Sequence, residues 1–347
     1  MAKSGWLCAM TAVLVGAAGA AGAAGRLESR IDVARTDLRT GDDVQVRLTL
    51  RNAGDAPLSL LRWETPVDGI QDEIFEIERD GQSVAYLGRH YKRPAPTRQD
   101  YLTIPAGGAR VFDVELTADW DFSQPGAYSV RYRSGADIDG RFVGVESAAV
   151  ALFVDGEPLW QALAAALEQP AEAPAPDALT PQFVNCSSTR QSSTTSALNS
   201  AQTYSGNALA YLNAGTVGPR YTTWFGSYTS SRYSTVRSHF SAIDSAIRTK
   251  TIAFYCDCTS SAYAYVYSND PYKIHLCNAF WSAPQTGTDS KAGTIIHELS
   301  HFNVVAKTSD YAYGQSACKS LAISNPSRAV NNADSHEYFA ENTPAQN

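Results

Sequence analysis

Lysine is scarce in this chain: seven residues against 21 arginines, with a single one, Lys92, between positions 26 and 182. Basic runs are absent as well, and a formal net charge of −7 with a pI near 5.4 argues against a nucleic-acid binder, whose affinity rests on neutralising phosphates. Charged residues make up only 18% of the chain while 44% are hydrophobic, which excludes wholesale disorder. Beyond the N-terminus no stretch is long and apolar enough to cross a bilayer, so no membrane contact is expected after the leader is removed. Cysteine is missing between Cys8 and Cys186, so disulfides cannot pin the first half.

The N-terminus itself is an address. Residues 1–25 place Lys3 before an apolar stretch from Trp6 to Val15 and an Ala/Gly run to Gly25, the layout of a secretory signal peptide. A secreted, extracellular, monomeric product is expected. In such a protein the clustering of Cys186, Cys256, Cys258, Cys277 and Cys318 in the C-terminal half suggests disulfides there. Five is odd, and Cys318, in a predicted helix among small and apolar residues, is the candidate spare thiol.

The length suits two domains. Residues 26–155 read as all-β: Val44, Val46, Leu48 and Leu50 alternate with polar residues, and Ile74–Glu78 and Val84–Leu87 flank an Asp80-Gly81 turn. Val111–Leu116, Tyr128–Tyr132 and Val145–Val154 supply further runs, and the spacing predicts an antiparallel sandwich of immunoglobulin-like architecture. Residues 156–182 hold a short predicted helix (159–167) and then a Pro/Ala-rich linker open to proteolysis. Residues 183–347 carry 13 of the 18 tyrosines and near-neutral charge. They read as an α+β domain, mainly helical with a small sheet: stripes at Leu198, Ala201, Ala208, Leu212 and at Val236, Phe240, Ile243, Ile247, and strands at 252–255, 263–267 and 274–276.

Chemistry concentrates at His297-Glu298-Leu299-Ser300-His301. On a helix, residues four apart share a face, so both imidazoles can meet one Zn2+ ion, with Glu298 placed to take a proton from water. A His-x-x-Gly-x-x-His continuation is excluded, because positions 304 and 307 hold Val304 and Lys307. Two carboxylates remain as third ligand, Asp310 and Glu337, the latter in the manner of thermolysin-like enzymes. Asp334 and Glu337, three apart, face the same way on a helix, and two uncompensated carboxylates in a cleft would attract an ammonium. His336 between them faces elsewhere and reads as structural.

Gly293-Thr294, the HExxH at 297–301 and Asp310-Tyr311-Ala312-Tyr313-Gly314 resemble the aspzincin (deuterolysin) zinc metalloendopeptidases. The resemblance extends through Tyr221–Gly226, Ala279-Phe280-Trp281 and Asn332–Phe339, covers roughly 185–347, and is closest to the peptidyl-Lys branch. It implies a zincin fold with one zinc, Asp310 as third ligand, and Tyr313 as the group that steadies the oxyanion. It further implies Asp334 and Glu337 as readers of Lys on the carboxyl side of the scissile bond, and disulfides Cys186–Cys256 and Cys258–Cys277. Protein and peptide substrates follow, and the N-terminal domain becomes an inhibitory and folding propeptide, a partner in cis. The rival expectation is a secreted binding protein with a structural zinc and a retained immunoglobulin-like module.

The Lys deficit in 26–182 could protect such a prodomain from a Lys-directed protease, but an Arg-favouring composition accounts for it more simply. No Lys lies between Lys92 and Lys250, so strictly Lys-specific self-cleavage would not release the catalytic domain within 156–182. Either another protease cuts there or the specificity is looser.

Overall fold

A computed structural model describes residues 27–138, 141–158 and 180–346. The expected signal peptide, the helix at 159–167 and most of the Pro-rich linker lie outside the described residues. Among the described residues there are two large hydrophobic cores, one built from residues between Ile31 and Val154 and the other from residues between Ala197 and Ala340, and a small cluster of Leu61, Trp63 and Tyr313 that bridges the two halves.

The first core is β-rich. One sheet runs in the order β1 (Leu27–Val33), β3 (Gln45–Asn52), β9 (Ala109–Glu115), all antiparallel. Along β3, Val46, Leu48 and Leu50 are buried between exposed or half-buried neighbours, so a one-residue slip would turn the apolar set to solvent. The facing sheet follows the order β2 (Asp37–Arg39), β12 (Val150–Asp155), β10 (Gly126–Ile138), β5 (Phe75–Arg79), β6 (Gln82–Ser83), with β11 (Arg141–Glu146) on the far half of β10. A small pair, β4 (Leu58–Leu61) with β8 (Tyr101–Ile104), closes one end. Asp80 and Gly81 join β5 to β6 with φ of 50° and 76°, the two positive values a primed hairpin turn requires. The run expected over 145–154 is two strands, because the Ser147 hydroxyl replaces a backbone acceptor for the Tyr132 N–H (3.0 Å) and interrupts the ladder.

The second core is helical. Helix α1 (Ser188–Asn213) packs on helix α3 (Ser230–Thr249), burying Ala201, Ala208 and Leu212 of one predicted stripe, with Leu198 half-buried, and Val236, Phe240, Ile243 and Ile247 of the other; α2 (Pro219–Phe225), between them in sequence, packs on the C-terminal helices. Then come α4 (Asn278–Ser282), α5 (Lys291–His301), α6 (Gly314–Ser324), α7 (Pro326–Ala329) and α8 (Ala333–Glu341). The sheet of this half runs β13 (Gln182–Val184), β14 (Ala253–Tyr255), β16 (Lys273–Leu276), β15 (Ala264–Tyr267), and its last strand is β7 (Arg89–Lys92). The N-terminal half thus lends a strand that pairs antiparallel with the edge of the helical half's sheet. Disulfides join Cys186 to Cys256 and Cys258 to Cys277, while Cys318 is a buried free thiol on α6.

Candidate active site

Helix α5 is buried along its whole length, which is why its sequence reads apolar around the histidines. Its start is fixed twice. The Ser290 side chain caps it by accepting from the Gly293 N–H, and the Glu341 carboxylate on α8 accepts from the Ser290 N–H at 2.9 Å and hydroxyl at 2.7 Å. Burial pushes the Glu341 carboxyl up to about 9. Gly293 is required by this packing, since a Cβ there would lie 2.2 Å from a Glu341 oxygen.

From this helix His297 and His301 project into one fully buried space with their Nε2 atoms 3.1 Å apart. Asp310, from the loop after α5, places Oδ1 at 3.3 Å from the first and Oδ2 at 3.3 Å from the second. Among the described residues neither Asp310 oxygen completes a hydrogen bond. Donors around a tetrahedral zinc at about 2.0–2.1 Å are separated by roughly 3.3 Å, so the three groups fit that ion without rearrangement. The outer nitrogens are also engaged: His301 Nδ1 donates to the Thr308 carbonyl (2.8 Å), and His297 Nδ1 faces Asp334 Oδ1 at 2.9 Å. The loop bearing Asp310 is stapled by Asn332, whose Oδ1 accepts from the N–H groups of Tyr311 (2.8 Å) and Ala312 (3.0 Å). Glu337 lies on the Nδ1 side of His297 at 3.4 Å, away from the shared space.

Glu298 is fully buried, and among the described residues neither of its oxygens meets a donor in full hydrogen-bond geometry, the backbone of Lys92 lying nearby. Burial pushes its carboxyl up to about 8, opposed in part by His297 and by the nearby backbone of Lys92.

Asp334 and Glu337 stand on one face of α8, and the cation between them belongs to the chain itself. Lys92 Nζ, at the end of β7, lies 3.0 Å from Asp334 Oδ1, 3.0 Å from Glu337 Oε2 and 3.2 Å from Asp289 Oδ1. The rings of Tyr263 and Tyr338 flank the ammonium at 5.5 and 5.4 Å. Burial alone would lower the Lys92 pKa, but Asp334 and Glu337 outweigh it and hold the group well above its ordinary value. Asp334 therefore touches both the lysine and the imidazole of His297, joining the cation pocket to the metal-binding groups.

Tyr313, three residues after Asp310, is buried; its hydroxyl donates to Asp72 Oδ2 at 2.8 Å and its ring meets Trp63 edge-on. His90, two residues before Lys92, stacks on His301 with centroids 4.6 Å apart. His336 points the other way, to His239 at 3.0 Å and to the aromatic core.

Sequence reasoning did not find Asp72, His90, Asp289, Asn332 or Glu341. Lys92 was conspicuous as the lone lysine of its region, and that isolation was the signal available.

A buried carboxyl that meets no donor among the described residues would be a cost in a zinc site built only for stability, and here it stands beside three converging donors. The chain is a zinc metallopeptidase. Residues 210–341 match the aspzincin family model, described as lysine-specific metallo-endopeptidase. An extracellular protease of Aeromonas hydrophila is 44% identical over 315 residues, covering 88% of this chain and 90% of that protein. A peptidyl-Lys metalloendopeptidase of Grifola frondosa is 39% identical over 318 residues, with coverage of 88% and 90%. The solved structure of a zinc peptidase from Grifola frondosa is 52% identical, spans 47% of this chain and 100% of that one, and superposes with a TM-score of 0.46. The protein belongs to the aspzincin family.

Proposed function

We propose that this protein is a secreted endopeptidase that cuts on the amino side of lysine. It is made as a precursor whose immunoglobulin-like N-terminal domain (26–155) is an inhibitory propeptide, joined by the linker 156–182 to the enzyme proper (183–347). The observation that carries this reading is Lys92 seated among Asp334, Glu337 and Asp289, on a strand laid against the edge of the catalytic sheet. A three-carboxylate, two-tyrosine pocket selects an ammonium on a long flexible stem.

His297, His301 and Asp310 would hold the zinc, which when bound acidifies a water and polarises the scissile carbonyl. Glu298 accepts the water's proton and returns it to the departing nitrogen, a role open to a buried carboxyl that no donor among the described residues holds. Tyr313 donates its hydroxyl to the oxygen that gains charge. Asp334 orients His297 while binding the substrate's lysine, so recognition and metal geometry share one carboxylate.

In the precursor two of these groups are already occupied. Lys92 fills the pocket and Asp72 takes the Tyr313 hydroxyl, so the N-terminal half blocks both substrate binding and oxyanion stabilisation. No helix among the described residues is long and apolar enough to cross a membrane.

The test is the Glu298→Gln variant alongside N-terminal sequencing of the secreted product. Loss of proteolysis with zinc retained, and a wild-type start near 175–185, support the reading. Unchanged proteolysis in the variant defeats the mechanism, and a mature start near 26 defeats the propeptide.

A further inference from the structure

Strand β7 is bound in a fixed register. Its Cα partners across β15 are Ala264 for Lys92, Tyr265 for Tyr91, Val266 for His90 and Tyr267 for Arg89. The backbone continues the match, with the Tyr263 N–H donating to the Lys92 carbonyl at 2.8 Å. Because strand side chains alternate, Lys92 and His90 turn inward to the catalytic groups while Tyr91 and Arg89 turn to the opposite face.

That opposite face is aromatic, and the enzyme half builds it alone. Tyr265 stacks on His275 (4.4 Å, 4°), and His275 stacks on Tyr255 (4.6 Å, 24°), so three strands contribute one layered platform. Tyr267 meets Tyr265 edge-on at 5.8 Å. Tyr91 lies on this platform, 5.2 Å from Tyr265. The Arg89 guanidinium sits 5.0 Å over Tyr265 and 5.9 Å over Tyr267, and its Nε donates to the Tyr267 hydroxyl at 2.8 Å.

We infer that the platform of Tyr265 and Tyr267 is a substrate subsite, which favours an aromatic residue immediately before the scissile bond and an arginine two residues earlier. The inference rests on the reading above, in which Lys92 stands where the lysine of a substrate stands. Any peptide that puts lysine in the pocket and pairs with β15 must lay its preceding residue on Tyr265 and the residue two before that against Tyr267. Ring stacking and cation–π contacts of this kind contribute about 0.5–1.5 and 0.5–1 kcal/mol. These correspond to preferences of roughly 2- to 12-fold and 2- to 5-fold in kcat/KM.

The test compares quenched peptides containing Arg-Ala-Tyr-Lys, Arg-Ala-Ala-Lys, Ala-Ala-Tyr-Lys and Ala-Ala-Ala-Lys on the zinc-loaded, processed protein. Tyrosine before lysine should raise kcat/KM several-fold over alanine, and arginine should add a smaller factor. Tyr265→Ala should bring the Tyr/Ala ratio toward one, and Tyr267→Phe, which keeps the ring, should diminish the Arg/Ala ratio. Cleavage before lysine at equal rates in all four peptides overturns the inference and leaves the proteolytic function standing; the platform then serves only to dock the propeptide. Failure to cut before lysine in every peptide overturns the reading beneath it, and the inference with it.

Discussion

Lys92 Nζ donates to Asp334 Oδ1 at 3.0 Å across 242 residues of sequence, with neither side chain exposed to solvent. An ion pair this deep is sustained by its geometry, and removing one member leaves the other buried and uncompensated. Here the uncompensated partner would be the acidic pocket of the enzyme half. Replacing Lys92 with alanine should therefore weaken the hold of the N-terminal domain on the cleft. The expected outcome is an unprocessed precursor at least about tenfold more active on a lysine peptide than wild type, from the typical cost of breaking a buried pair. Lys92→Arg, which keeps the charge but not the shape, should fall between. The initial rate of the intact precursor, before any processing, is the measurement.

Tyr313 gives a prediction of a different kind, because its hydroxyl acts on charge that exists only as the carbonyl is attacked. Tyr313→Phe in the processed enzyme should lower kcat by about 10²–10³-fold with little change in KM, as for other oxyanion donors. Asp72→Ala should release part of the precursor's inhibition and leave no trace in the processed enzyme, because Asp72 holds the Tyr313 hydroxyl from the N-terminal half that processing removes.

The two carboxylates once in competition as metal ligand can be separated by zinc content. Asp310 faces both Nε2 atoms at 3.3 Å, while Glu337 faces Nδ1 of His297 and the lysine. Asp310→Ala should lose zinc by elemental analysis. Glu337→Ala should keep about one zinc per chain and lose discrimination between lysine and norleucine peptides. The reverse pattern would assign the ligand to Glu337.

Acid should destabilise the enzyme half through two histidines that face each other on the side of α8 turned away from the lysine pocket. Burial holds His336 down at about 3 and His239 at about 4, against an ordinary value of 6.5. The unfolded chain takes up protons in that window that the folded chain refuses. Their contribution is therefore fully present above pH 6.5 and is lost as pH falls toward 4, roughly 2 kcal/mol per histidine at pH 5. Urea unfolding at pH 7, 6 and 5 should show this slope, and His336→Phe should flatten it by about half.

The parts of the molecule legible in the sequence were those set by local periodicity. The helix of His297 and His301, the shared face of Asp334 and Glu337, and the alternation along β3 follow from spacings of four, three and two. What stayed hidden depends on contacts between distant segments. Asp289 joins the lysine pocket through a loop residue with φ of 50°, and Asn332 staples the Asp310 loop from 20 residues away. His90 and Lys92 reach the enzyme half on β7, which pairs with β15, and Asp72 reaches it separately through the Tyr313 hydroxyl. The Lys deficit was visible and pointed to composition; the structure gives Lys92, the single lysine of residues 26–182, a place in the pocket.

The most direct test of the central claim is digestion of a protein of known sequence by the processed, zinc-loaded enzyme, with every new terminus read by mass spectrometry. Nearly all new N-termini should be lysine, and free lysine-rich peptide should compete with the digestion. New termini without lysine bias, from an enzyme shown to hold one zinc, would contradict that claim.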